Sequence, residues 1–143
     1  MHKAVLAVMV LPPTLTFVAW LTLLAVAGVT GRHPIWNLAP ENLPEAAAFR
    51  DPAAVLRHLA RGEDIDRADH VRAGIVRTDD AILTPIEAAA AAGDEAMVHM
   101  LFSLGASPHP TVWLRAWCLT GVATVRDELE RGRPPDTTPA LCP

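Results

Sequence analysis

The chain has little of what most enzyme sites are built from. Its 143 residues include no tyrosine, only two cysteines and a single lysine, Lys3. The sequence has no glycine-rich phosphate loop, no Cys-x-x-Cys pair and no His-Glu-x-x-His motif. These absences exclude the common nucleotide-binding, zinc-binding and metalloprotease signatures. We therefore predict that the protein is not an enzyme and has no catalytic residue, metal site or cofactor.

Positive charge is scarce beyond the N-terminus. Residues 32–143 contain 11 arginines and no lysine against 16 aspartates and glutamates, a formal charge of −5. Nucleic acids are held largely by Lys and Arg contacts to phosphates. The acidic balance therefore predicts that nucleic acid is not a partner.

Charge of either sign is missing from residues 4–31, a run of 28 positions rich in Leu, Val, Ala and Thr. About 20 apolar residues cross a bilayer core as a helix. We therefore predict a transmembrane anchor over residues 1–31 and a single-pass membrane protein whose following domain faces outside or the periplasm. A cleaved signal peptide is the alternative, because His2-Lys3 is a positive start and Ala25-Val26-Ala27 has the form of a cleavage site.

The most patterned stretch is residues 83–108, LTPIEAAAAAGDEAMVHMLFSLGASP. Thr84 can cap a helix with its hydroxyl, and Pro85 suits the first helical position because no intrahelical hydrogen bond is lost there. Gly93 and Gly105 suit the left-handed conformation that commonly ends a helix. The stretch therefore predicts two successive helices that end at these glycines.

This stretch resembles the ankyrin repeat, a unit of two helices joined to the next unit by a hairpin. Glu87 in place of the family's usual histidine and Ser107 in place of its aspartate are departures. The resemblance rests on co-spaced features: Thr84-Pro85-Ile86-Glu87, Ala89-Ala90, Gly93, the apolar positions Val98, Leu101 and Phe102, and Gly105-Ala106-Ser107-Pro108.

Weaker copies of the pattern flank this stretch. A shift of 43 residues towards the N-terminus aligns Leu43 with Ile86, and a shift of 27 towards the C-terminus aligns Trp113 with Ile86. One such repeat cannot bury its own apolar face, so neighbours are needed. The resemblance thus implies an all-α, ankyrin-type helical solenoid of about three repeats over residues 43–132, after a linker at 32–42 and before a disordered tail at 133–143.

The resemblance also implies a function, since ankyrin arrays are binding scaffolds. We expect a membrane-tethered protein–protein interaction module. The alternatives are an accessory or assembly subunit of a membrane complex, or a secreted or periplasmic protein after signal cleavage. Carried over from the family's concave positions and from the inserted segment 67–82, the expected partner-binding residues are Glu45, Phe49, Arg67, Asp69, His70, Arg72, Arg77, Glu87 and Arg115.

Two points stay open at the level of sequence. Cys118 and Cys142 either form a disulfide in an oxidising compartment or remain separate thiols. Trp113 takes a core position, whereas Trp117 is either a lid on the end of the stack or an exposed aromatic anchor.

Overall fold

The computed structural model describes residues 17, 20–22, 39–139 and 142. It divides the chain into two compact units, Met1–Ala39 and Pro40–Pro143. In the first unit, Phe17, Trp20 and Leu21 are helical, and each exposes at least half of its surface.

The described part of the chain contains no helix with the length and apolar character that a bilayer crossing demands. The longest helix of the second unit has ten residues, about half of what a crossing needs. This finding contradicts the predicted transmembrane helix and the predicted single-pass membrane location. Most of residues 1–31 and most of the predicted linker at 32–42 lie outside the described residues.

The second unit contains three helix–turn–helix pairs in chain order. Their bounds are α1 Leu43–Ala48, α2 Pro52–Ala60, α3 Pro85–Ala92, α4 Glu95–Ser103, α5 Pro110–Leu119 and α6 Ala123–Arg131.

Local sequence explains where the central pair begins and ends. Thr84 and Glu87 form a capping box at the start of α3, in which each side chain satisfies a backbone N–H of the first turn. Asp94 caps α4 by accepting from a backbone N–H. Gly93 ends α3 with φ 69°, and Gly105, two residues past the end of α4, has φ 99°. The predicted helix ends at both glycines are confirmed.

The three pairs share one core. Helix α3 contacts α1 on one side and α5 on the other, while α4 contacts α6. Alanines on the facing surfaces allow the helices to approach closely, and branched and aromatic residues fill the space between the pairs. Fully buried members of this core are Ala46, Ala47, Ala54, Val55, Ile86, Ala89, Ala90, Val98, Leu101, Trp113, Ala116, Val125 and Leu129.

Two short strands lie between α2 and α3, so the all-α fold class is wrong. Strand β1, Asp69–Val71, pairs antiparallel with β2, Ala81–Leu83. Val71 and Leu83 point to the same face and pack against Ala48 and Ala88. Residues 67–82, expected as an inserted loop, hold β1 and most of β2, because Val71 and Leu83 are buried against α1 and α3.

The third pair ends the stack with aromatic side chains. Trp113 is fully buried, and its ring stacks on that of Trp117 at a centroid distance of 5.2 Å. Trp117 is half-buried, and the Arg126 guanidinium lies 5.8 Å from its ring centroid. Of the two interpretations left open for Trp117, this packing favours the lid.

The C-terminal segment is covalently attached to α5. Cys118 and Cys142 form a disulfide across 24 positions of sequence, and Thr137 between them is buried. Of the two possibilities that the sequence left open, the structure has the disulfide. The bridge closes a loop of the chain that contains α6.

Replacing Cys142 with serine is expected to lower the free energy of unfolding by up to about 3 kcal/mol, because the bridge limits the conformations of the unfolded chain. Cys142 is exposed, so its substitution leaves no cavity. Denaturant titration of the variant checks this, with the reduced wild-type chain as the control that should match it. An unchanged midpoint in both would contradict the expectation.

Candidate functional site

The described residues form a groove between β2 and α5. Its volume is about 690 Å³. We call it the β2–α5 groove. The residues that line it are Arg77, Asp79, Ala81, Ile82, Leu83, Glu87, Leu114, Arg115, Cys118, Leu119 and Cys142.

The groove combines apolar walls with a charged floor and rim. Ile82 is 69 % exposed on the strand side, and Leu114 and Leu119 are half-buried on the helix side. Such a mixture of apolar surface and a few placed polar groups is typical of binding grooves.

Glu87 lies at the floor and is fully buried. Its Oε2 accepts hydrogen bonds from the backbone N–H and the hydroxyl of Thr84, at 2.8 and 3.0 Å. Arg115 Nε lies 2.6 Å from Glu87 Oε1, although that oxygen accepts no well-aligned hydrogen bond. Glu87 therefore caps α3 and fixes Arg115, whose side chain is 59 % exposed. The structure therefore buries Glu87, one of the expected contact residues, at the floor of the groove.

The rim carries a second ion pair. Arg77 Nε lies 3.2 Å from Asp79 Oδ1, and both side chains are largely exposed. The hydrogen bond from Arg77 holds the pKa of Asp79 below its ordinary value. Asp79 therefore keeps its charge at neutral pH, so this part of the rim is close to electrically balanced.

Glu45 and Arg72, two further expected contact residues, form a buried ion pair instead. Glu45 is fully buried. Its Oε1 accepts from Arg72 Nε at 2.7 Å, and its Oε2 accepts from Arg72 Nη2 at 2.6 Å. The backbone N–H groups of Arg72 and Glu41 also donate to this carboxylate, at 3.1 and 3.0 Å. The pair fastens β1 to α1, and Glu45 is not available to a partner.

Burial alone would raise the pKa of Glu45, but the hydrogen bonds and charge of Arg72 outweigh it and lower that pKa. The same contacts raise the pKa of Arg72. Both groups are therefore charged at neutral pH, and each stabilises the charged form of the other.

The remaining expected contact residues lie away from the groove. Phe49 is 36 % exposed at the end of α1, Arg67 is exposed, and Asp69 is half-buried in β1. His70 is exposed, with its Nε2 3.4 Å from Asp80 Oδ2. Of the nine expected contact residues, the structure brings only Arg77, Glu87 and Arg115 into the groove.

Sequence reasoning missed the apolar wall. Ile82, Leu114 and Leu119 were not among the expected contact residues. No local signal marks Ile82 as exposed, because Ala81, Ile82 and Leu83 are all apolar and show no alternation of apolar and polar residues.

A second, smaller hollow of about 340 Å³ lies at the outer helices and is lined in part by His99, Ser103 and Glu128. His99 Nδ1 lies 2.7 Å from the buried carboxylate of Glu128, to which Arg131 also binds. The Ser103 hydroxyl donates to the backbone carbonyl of His99 at 2.9 Å. Ser103 is thus bonded to its own helix, and the cluster acts to join α4 to α6.

Among the residues that the structure describes, no three His, Cys, Asp or Glu side chains converge in a way that could hold a metal ion. Comparison of the chain with protein-family models, with curated proteins and with solved structures gives no match.

Proposed function

We propose that the second unit is a protein–protein interaction module of ankyrin type, which binds a protein partner in the β2–α5 groove. The observation that carries the proposal is Ile82, a large apolar side chain that is 69 % exposed at the mouth of a groove walled by Leu114 and Leu119. Apolar surface that remains in water at the mouth of a concave site is a common mark of a binding face.

The charges of the groove suit a protein partner. The floor carboxylate of Glu87 is compensated by Arg115, and Asp79 is compensated by Arg77. Among the described residues that line the groove, no cluster of one sign is uncompensated. Apolar contact therefore supplies the affinity, while the exposed guanidinium of Arg115 selects orientation.

The disulfide supports one of the alternatives, a secreted or periplasmic module. Disulfides persist in oxidising compartments and are rare where thiols are kept reduced. Because the Cys118–Cys142 bridge lines the groove, we propose that the module meets its partner in an oxidising compartment.

Site-specific photo-crosslinking in the source cells tests the groove. A photoreactive amino acid at position 82 is expected to give a covalent adduct with one protein. The same group at Leu56, which is 50 % exposed on α2, is the matched control and should give none. Equal capture from both positions, or from neither, would contradict the proposal.

Replacing Ile82 with aspartate is expected to weaken binding of the captured protein by at least about tenfold, since it places a charge where an apolar anchor is buried. Leu56→Asp, an exchange of the same kind on α2, should leave the affinity unchanged. Calorimetric titration of purified proteins measures both, and thermal unfolding of the variants verifies that each is folded. Equal losses in the two variants would count against the groove.

A further inference from the structure

Strand β2 has an outer edge, the side turned away from β1. In the antiparallel register, His70 lies opposite Ile82, flanked by the pairs Asp69–Leu83 and Val71–Ala81. Opposed residues alternate between pairs that exchange two hydrogen bonds and pairs that exchange none. In a pair of the first kind, the backbone N–H and C=O of Ile82 would point towards β1. In a pair of the second kind, they would point away from it.

The hydrogen bonds of the β1 backbone show which kind the His70–Ile82 pair is. The His70 carbonyl accepts from the Asn42 side chain at 2.6 Å, and the His70 N–H donates to the Asp69 carboxylate at 2.8 Å. Two residues on, the backbone N–H of Arg72 donates to Glu45. Asn42 and Glu45 cap and begin α1, so these groups point away from β2. The His70–Ile82 pair is therefore a non-bonded pair, and the N–H and C=O of Ile82 point outward.

Within the described part of the chain, neither of these two groups of Ile82 has a hydrogen-bond partner. No strand follows in the connection between α4 and α5, residues 104–109, all of which the structure describes. Across the groove stands α5, a helix whose own backbone bonds are internal. The outer edge of β2 thus presents one free donor and one free acceptor beside an apolar hollow.

We propose that the partner enters the β2–α5 groove as an extended segment and adds a third strand to the sheet along β2. This inference rests on the proposed interaction function and names the form in which the partner binds. An extended peptide is the one protein conformation that offers a donor and an acceptor at the matching spacing, and strand addition to an exposed edge is an established way to bind peptides.

The geometry also sets a side-chain preference. A residue that exchanges both hydrogen bonds with Ile82 carries its side chain on the same face as the Ile82 side chain. Its two neighbours then point to the opposite face, the face of Ala81 and Leu83. On that face, Leu119 packs against the cluster that contains Leu83, and it also lines the groove. The segment that binds should therefore have apolar residues on both sides of the pairing position, two residues apart.

Selection from a phage-displayed library of random linear peptides against the full chain supplies a probe. Peptides that bind the wild-type chain but not the Ile82→Asp variant are used in the next step. Ile82→Pro then removes the outward N–H. Proline is tolerated at an edge where its N–H would face solvent. Ile82→Thr is the matched control, because it keeps the N–H and the branched Cβ while it shortens the side chain.

Ile82→Pro is expected to bind the selected peptide at least about tenfold more weakly than Ile82→Thr, because a hydrogen bond of the added strand is lost. In the wild-type complex, the amide of Ile82 should exchange with solvent more slowly than in the free protein. The amide of His70 lies on the far edge of β1 and donates to Asp69, so its exchange should not change.

The outcomes separate this inference from the proposed function. If peptides bind but the proline and threonine variants have equal affinities, the groove binds in another conformation and strand addition is wrong while the interaction function stands. If no peptide depends on Ile82, strand addition fails, and crosslinking from position 82 decides the function independently. A dimer of the chain that Ile82→Pro disperses would identify a second copy as the occupant and overturn the proposal of a separate partner.

Discussion

Replacing Arg72 with alanine is expected to destabilise the second unit by about 3 to 5 kcal/mol at neutral pH, because the variant leaves a buried carboxylate without its counter-ion. Glu45 exposes 1 % of its side chain and Arg72 27 %, so water screens the pair weakly. The pair also fastens β1 to α1. Urea titration of wild type and variant at neutral pH measures the loss.

The loss should depend on pH in a defined direction. The pKa of Glu45 is lowered from 4.5 in the folded wild type, so its contribution to stability is present above 4.5 and is lost as pH falls through the folded value. In the variant, burial is no longer opposed by Arg72, and the pKa of Glu45 should rise instead. Protonation then stabilises the variant as the pH falls, and the difference from wild type should shrink.

A second substitution provides the control for this prediction. Glu45→Gln combined with Arg72→Ala removes the buried charge together with its partner. The double variant should therefore be more stable at neutral pH than Arg72→Ala alone, an interaction that a mutant cycle measures directly. A loss under about 1 kcal/mol in the single variant, or one that is the same at every pH, would contradict the buried-pair interpretation.

Replacing Trp113 with alanine is expected to cost about 3 to 5 kcal/mol, the range for a buried tryptophan or phenylalanine truncated to alanine. Trp113 is fully buried between α3 and α6 in the shared core. Its indole N–H donates to the Leu129 carbonyl at 2.7 Å. That carbonyl belongs to the last turn of α6, where no intrahelical donor is available.

Two variants divide this effect into its parts. Trp113→Phe keeps most of the apolar volume and loses the hydrogen bond, so its cost should be smaller than that of Trp113→Ala. Trp117→Ala removes the half-buried ring that stacks on Trp113 and should also cost less. Denaturant unfolding monitored by circular dichroism compares all three. Equal costs for the alanine variants at positions 113 and 117 would show that Trp113 is not the core residue of the third pair.

The helix pairs could be read from the sequence because their signals are local. The cap at Thr84 and the left-handed glycines Gly93 and Gly105 lie within a few residues of the ends that they define. The spacing of Val98 and Leu101 likewise identified a buried face within one helix. The ankyrin resemblance that these signals carry remains a prediction, and it underlies the proposed interaction function.

The groove could not be read in the same way, because its parts are distant in sequence. Ile82 and Leu114 line one groove only because α3 and α5 lie side by side. The role of Glu45 depends on Arg72, 27 positions away. From the sequence, a carboxylate on the inner helix predicts an exposed contact, and only the position of β1 turns it into a buried ion pair.

By itself, the sequence determined the caps, the helix-ending glycines and the apolar faces of the central helix pair, since these depend on interactions between near neighbours. Tertiary structure alone decided that residues 69–83 contain two strands, that Glu45 and Glu87 are buried beside arginines, and that no described segment pairs with the outer edge of β2 beside α5. The physical reason is that burial, ion pairing and strand edges depend on which distant segments pack together, and a linear pattern carries no direct record of that packing.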